Sequence, residues 1–188
     1  MPLKIMTWNV NGIRSWTYPL EIEKGKPPVG SLKELLDFFD ADIICFQETK
    51  LRPGSLTAAE ALVEGYFGFF SICPNARGYS GTATYCRATA LPLRAEEGFT
   101  GLLPLPAVPT KEFKEGGKPS AERIGAFSEL YAAFDKDELR ELDKEGRCVM
   151  TDHGDFVLLN VYFPNAGDTE KRHSFKMRFY QAVEVRVK

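Results

Sequence analysis

The sequence offers little to chemistries that depend on histidine or cysteine. It holds two histidines, His153 and His173, and four cysteines, none in a C-x-x-C pair. Cys45, Cys73, Cys86 and Cys148 are widely spaced, and three of them sit in apolar, strand-like runs. This excludes a zinc ribbon and a disulfide framework, and it reads as reduced, buried thiols in an intracellular protein. No run is long and apolar enough to span a bilayer, and Met1-Pro2-Leu3-Lys4-Ile5 lacks the apolar core of a secretory leader. Excess positive charge is missing too. The 24 Lys and Arg face 26 Asp and Glu, for a net charge of -2. Bulk charge therefore cannot hold this chain on nucleic acid, and any such contact needs a local basic surface. The best local candidate is the end of the chain. There Lys171, Arg172, Lys176, Arg178, Arg186 and Lys188 outnumber Asp168, Glu170 and Glu184. By itself this set reads as the solvated face of a helix. There is no internal repeat.

What is present suits one packed domain. The 188 residues are 44% hydrophobic and 27% charged, which fits a single unit over 1–188. Lys4 to Val10 is short, apolar and β-branched, and runs into the turn signal Asn11-Gly12. Glu21 to Gly30 reads as a loop. Ser31 and Glu34 form a capping box, followed by Leu32, Leu35, Leu36 and Phe39 at helical spacing. Asp40-Ala41-Asp42 closes that helix, and Ile43 to Phe46 reads as a strand buried on both faces. Strand, helix, strand implies a layered α/β fold with a right-handed crossover. Further strands are expected at Phe69–Cys73, Gly81–Cys86, Arg147–Thr151 and Phe156–Phe163, the last two joined by a hairpin turn at Asp152–Asp155. Residues 103–120 are rich in proline and glycine and read as an exposed loop. Asp137–Asp143 is a short helical patch. From Ser174 the chain turns helical, with Phe175, Phe179, Ala182 and Val183 on one stripe.

Four segments place polar groups where an apolar strand ends, which is the usual seat of a site in α/β sheets. They are Thr7-Trp8-Asn9-Val10-Asn11-Gly12-Ile13-Arg14, Gln47-Glu48-Thr49-Lys50, Gly78-Tyr79-Ser80-Gly81 and Asn160-Val161-Tyr162-Phe163-Pro164-Asn165. A carboxylate and an amide oxygen from neighbouring strands suit a hard cation such as Mg²⁺. Each residue also has a plainer reading. Asn11 belongs mostly to a turn, Asn9 can be a cap, and Glu48 can be a solvated strand end. Tyr162 fits cross-strand packing as well as it fits a site, and Arg14 and Lys50 can be surface charges.

Taken together and in order, the four segments resemble the N-terminal motifs of the exonuclease III-type apurinic/apyrimidinic endonucleases of the endonuclease/exonuclease/phosphatase superfamily. Glu145-Gly146-Arg147 and Phe175 to Tyr180 look closest to the second eukaryotic branch of these enzymes. The resemblance implies a four-layer α/β sandwich with mixed β-sheet and flanking helices. It implies Mg²⁺, or Mn²⁺ in its place, with Glu48 as a direct ligand and Asn9 beside it. Tyr162 would hydrogen-bond the scissile phosphate with help from Asn165, while Arg14, Lys50 and Tyr79 would lie near the DNA backbone. The implied substrate is double-stranded DNA with abasic sites or blocked 3′ ends. The implied location is the nucleus, with the mitochondrion as a second, and no membrane is involved.

The same resemblance places an Asp-x-Asn motif, a further Asp and a terminal Ser-Asp-His-x-Pro motif beyond Lys188. Asp152-His153 does not stand in for that last motif. It follows Thr151, precedes Gly154 rather than leading to a proline, and comes before Tyr162. His153 is therefore read as a turn residue. The chain is expected to be the N-terminal half of the domain and incomplete for catalysis, or else a non-catalytic product that binds DNA or a partner. With each half supplying roughly one sheet, its single sheet would show a bare inner face until a C-terminal half or partner chain covered it.

Overall fold

The computed structural model of the chain describes residues 2–16, 30–74, 78–104 and 123–188. The expected loop at 103–120 lies outside the described residues except for Leu103 and Pro104, as does the loop expected at Glu21–Gly30 except for Gly30. In chain order the elements are β1 (Ile5–Asn9), α1 (Leu32–Phe39), β2 (Ile43–Gln47), α2 (Ala58–Ala61), β3 (Tyr66–Ser71), β4 (Thr82–Arg87), β5 (Arg94–Glu97), α3 (Ser128–Ala133), α4 (Lys136–Asp143), β6 (Cys148–Asp152), β7 (Val157–Val161) and α5 (Glu170–Val187). No helix among the described residues is long and apolar enough to cross a membrane.

The opening unit forms for the reasons its sequence gives. The Ser31 hydroxyl accepts from the Glu34 amide and starts α1, and Asp40 ends it in a left-handed conformation (φ 44°). Leu32, Leu35 and Leu36 are buried against Ile44, Phe46, Ala83 and Tyr85. Each such leucine contributes roughly 2 kcal/mol by leaving water. β1 then pairs parallel with β2, as a crossover helix requires. β4 joins β2 and β3 antiparallel, giving a mixed sheet in the order β1-β2-β4-β3.

The chain builds a second sheet as well, in the order β5-β6-β7, antiparallel throughout. This corrects the expectation of one sheet with a bare inner face. The two sheets meet through Ile43, Cys45, Cys86 and Ala90, joined by Phe69, Phe156 and Leu158. Outside the second sheet, Phe179, Ala182 and Val183 of α5 pack with Leu130, Phe134, Leu139, Leu142, Cys148 and Met150. The layers are thus helix, sheet, sheet, helix. What stays uncovered is narrower than a whole face. Among the described residues, the large apolar side chains exposed on the strands themselves are Ile5 of β1, 47% exposed, and Val157 of β7.

The second sheet also holds the strand that the sequence hid. Arg94-Ala95-Glu96-Glu97 is three-quarters charged, which opposes strand propensity, and tertiary partners override it. Glu96 accepts from the Ile124 amide and pairs with Arg123, and Glu97 accepts from the Ser71 hydroxyl at 3.1 Å. α5 starts at Glu170, capped by Thr169, four residues ahead of the expected Ser174. Its arginines are not a solvated face. Arg178 pairs with Glu138 of α4, and Arg186 donates to the carbonyls of Phe99 and Ile124. All four cysteines are free and buried.

Candidate active site

The polar segments flagged in the sequence gather at one end of the two sheets. Asn9 ends β1, Glu48 follows β2, Gly78 to Gly81 lead into β4, and Tyr162 follows β7. The chain turns sharply there. Among the described residues five non-glycines have positive φ, and four of them, Asn11 (49°), Glu48 (53°), Lys50 (54°) and Ser80 (55°), lie in these segments. Such backbone costs of order 1–3 kcal/mol per residue and tends to survive where function needs it. Backbone bonds hold the turns together: Gly12 and Ile13 donate to the carbonyls of Glu48 and Thr49, and Thr49 and Lys50 donate to those of Gly81 and Ser80. Gly81 has to be glycine, because its φ is +89° and a Cβ would sit 2.3 Å from Thr49 Oγ1.

Glu48 is the centre of the arrangement. Asn9 Nδ2 donates to Glu48 Oε1 at 2.7 Å, while Asn9 Oδ1 accepts from the Asn11 amide at 3.1 Å. Lys50 Nζ lies 3.5 Å from Glu48 Oε2 and also donates to Asn11 Oδ1. Tyr162 faces the same carboxylate and helps to lower it. Partial burial alone would raise the Glu48 carboxyl. The hydrogen bonds from Asn9 and Tyr162 and the charge of Lys50 outweigh it, so the group stays below the ordinary range and ionised. Tyr162 moves the other way, raised by burial and by the Glu48 carboxylate, with Arg147 opposing. The ionised Glu48 carboxylate is a hard oxygen donor, while Asn9 turns its Nδ2 to that carboxylate and its Oδ1 to the Asn11 amide. Such a carboxylate fits a Mg²⁺ ion that keeps several waters. Among the described residues there is no group of three His, Cys, Asp or Glu that could hold a metal ion.

The remaining expected residues take varied places. Tyr79 stands at the rim, 44% exposed. Its hydroxyl accepts from Arg147 Nη2 at 2.6 Å and Arg172 Nη2 at 2.8 Å. Asn165 is exposed after β7, its Oδ1 accepting from the Gly167 amide at 3.2 Å. Arg14 is turned toward α2, donating to Glu60 Oε1 at 2.7 Å and to the Ser55 carbonyl. Asp152 and His153 sit at the opposite end of β6, where Asp152 pairs with Arg94 and His153 stacks on Phe156 with ring centroids 4.8 Å apart. His153 is a turn residue, its ring held neutral mainly by burial.

The sequence flagged Asn160 and Glu145-Gly146-Arg147 only as parts of motifs and assigned no role to the residues that work from beneath. Asn160, buried in β7, donates to the carbonyls of Phe46 and Ala83 and accepts from Gln47 Nε2 at 2.7 Å, joining the two sheets directly under Glu48. Glu145, Arg147 and Arg172 form an ion network beside Tyr79 and Tyr162. The available signal was a polar or charged residue against an apolar run, at Glu145-Gly146-Arg147 before β6 and at Asn160 inside β7.

Comparison with known proteins agrees with this architecture. Human DNA-(apurinic or apyrimidinic site) endonuclease 2 is 37% identical over 98% of this chain, which spans 35% of that protein. The Schizosaccharomyces pombe protein of the same name is 35% identical over 98% of this chain. The crystal structure of the Xenopus laevis APE2 catalytic domain superposes with a TM-score of 0.73 at 36% identity, covering 98% of this chain and 52% of that one. The chain thus spans about a third of the curated relatives and half of that catalytic domain. The profile of the Endonuclease/Exonuclease/phosphatase family matches residues 6–168, and the chain belongs to that family.

Proposed function

We propose that this chain supplies the Asn9–Glu48–Tyr162 part of the active site of a Mg²⁺-dependent phosphodiesterase of base excision repair. It would act on double-stranded DNA at abasic sites and at blocked 3′ ends. The carrying observation is the convergence of Asn9, Tyr162 and Lys50 on one ionised carboxylate, Glu48. Relatives named for apurinic or apyrimidinic sites support the substrate, and a nuclear location accords with it.

Phosphodiester hydrolysis builds negative charge on the phosphate, so its catalyst needs fixed donors and a cation at that point. Glu48, with the Asn9 amide beside it, would hold Mg²⁺, and Mn²⁺ would serve the same donors. The bound ion supplies Lewis-acid neutralisation of the phosphate. Asn9 keeps the carboxylate turned toward the site. Tyr162 is neutral at physiological pH, since its phenol titrates above the usual range. It can therefore turn its hydroxyl hydrogen from Glu48 to a phosphate oxygen. Lys50 offers a second positive charge at the same place. Tyr79 and Asn165 on the rim, and Arg14 further out, would contact the DNA backbone.

One observation favours a second reading, a product that binds DNA or a partner without cutting. It is the want of a three-carboxylate or histidine cluster among the described residues. Incision of an abasic-site duplex in Mg²⁺ separates the two. The catalytic reading expects cutting once the rest of the domain completes the site, with a loss of about 100-fold or more in Glu48→Ala and Tyr162→Phe, as for removal of one transition-state donor. Binding by the completed domain with no incision, equal in the parent and both variants, would establish the second reading.

A further inference from the structure

We propose that Arg147 is a positioning residue that locks Tyr162 and Tyr79 in place, an inference that rests on the phosphodiesterase reading of the Tyr162 site. Arg147 stands just ahead of β6, next to the end of β7. Its side chain is 1% exposed, although it carries a permanent charge. A buried guanidinium is a poor means of stabilising a fold, since well-packed apolar residues of similar volume usually do as well or better. What it provides instead is direction, because its five N–H donors are fixed in one plane.

Those donors are spent on the two tyrosines and on one carboxylate. Nη1 donates to the Tyr162 carbonyl at 3.0 Å, and the Tyr162 amide returns a bond to the Arg147 carbonyl at 2.8 Å. The guanidinium carbon lies 4.8 Å from the Tyr162 ring centroid and 5.4 Å from that of Tyr79. Nη2 donates to the Tyr79 hydroxyl at 2.6 Å, and Nε to Glu145 Oε2 at 2.7 Å. Tyr162 is thus held by its backbone on both sides and by its ring face, which leaves only its hydroxyl free to reach toward Glu48.

The network extends to the last helix. Glu145 is shared with Arg172 of α5 through bonds of 2.5 and 2.8 Å, and Arg172 also reaches the Tyr79 hydroxyl. Glu145 offsets the buried charge of Arg147. Burial alone would raise the Glu145 carboxyl, but the two arginines hold it below its ordinary range. Gly146 between them has φ 63°, and a Cβ there would meet Cys73 N at 2.4 Å, so the segment is pressed against the end of the first sheet. One buried arginine therefore ties a residue from each sheet's loops to the same frame. Displacement of a reacting group by about 1 Å costs on the order of 100-fold in rate.

The test uses the full chain labelled with ¹³C-tyrosine, and Arg147→Lys, which keeps the charge and removes the fork. The expected result is a cooperative melt and a shifted Tyr162 ring resonance in the chain and, with the rest of the domain in place, a kcat on the abasic duplex lower by about 100-fold with KM little changed. In a Tyr162→Phe background the same change should add little to the loss. Unchanged kcat and an unchanged Tyr162 resonance would overturn the proposal. If Glu48→Ala and Tyr162→Phe leave incision untouched, the phosphodiesterase reading has failed, and the Tyr162 resonance alone decides whether Arg147 positions it. If Arg147→Lys loses its cooperative melt, Tyr79→Phe takes its place. It removes the acceptor shared by both arginines while keeping an exposed ring. A shifted Tyr162 resonance in it supports the network, and an unchanged one refutes it.

Discussion

Glu48 and Thr82 show what the site asks of single residues. Glu48 accepts a left-handed backbone, and three donors turn its carboxylate into a fixed anion. Thr82 faces the layer between the sheets and is fully buried, and among the described residues its hydroxyl has no partner; Thr49 and Ser80 nearby share that condition. A buried polar atom without a partner lowers stability by about 1–3 kcal/mol. Thr82→Val keeps the shape and removes the atom, so it is expected to raise the unfolding free energy by about 1 kcal/mol in urea denaturation. A fall of that size would show that the hydroxyl is satisfied. At this scale the sequence was informative where a residue type is rare in its setting. Asn9, Glu48 and Tyr162 each lie at or just past the end of a strand-like run, and the structure brings all three together. Arg147 was opaque, because nothing in a local pattern says that an arginine before a strand will be buried between two tyrosines.

Elements were legible where local rules and packing agree. α1 carries its cap, its apolar stripe and its stop, and it forms as read. β5 does not, since three charged residues in four make a strand only when Arg123, Ser71 and two backbone amides meet them. The start of α5 was missed for a related reason. Glu170 to His173 have no apolar periodicity, and Thr169 and Arg172 hold that turn through a cap and an ion pair. The end of α4 contributes a titratable joint. Asp143 accepts from the Thr100 hydroxyl and from the amides of Phe99 and Thr100, fixing the loop after β5. Burial outweighs these bonds and pushes its carboxyl up to about 6. The folded chain therefore holds that proton more tightly than the unfolded chain, where an aspartate titrates near ~3.9. The contribution of Asp143 to stability falls as pH rises from about 4 through 6. At ~1.36 kcal/mol per unit the fall is about 3 kcal/mol. The difference in unfolding free energy between the chain and Asp143→Asn should shrink by about that amount between pH 4 and 7. A difference that does not move with pH would show that Asp143 keeps an ordinary carboxyl.

At the scale of the molecule, the division into two sheets could not be read from the strands one by one. Strand patterns give faces, and the pairing that sends β5, β6 and β7 to a separate sheet depends on long-range contacts. The consequence for function is polarity. Strand ends carrying Asn9, Glu48, Tyr79 and Tyr162 lie at one end, and Asp152 with His153 lies at the other, although Asp152-His153 is the chain's only Asp-His pair. Mn²⁺ added to the ¹⁵N-labelled chain tests this directly, because a paramagnetic ion broadens the signals of residues near it. The account predicts that the amides of Asn9, Glu48 and Tyr162 broaden first, and that Glu48→Gln weakens the effect. Broadening centred on Asp152 and His153, or unchanged in Glu48→Gln, would contradict it.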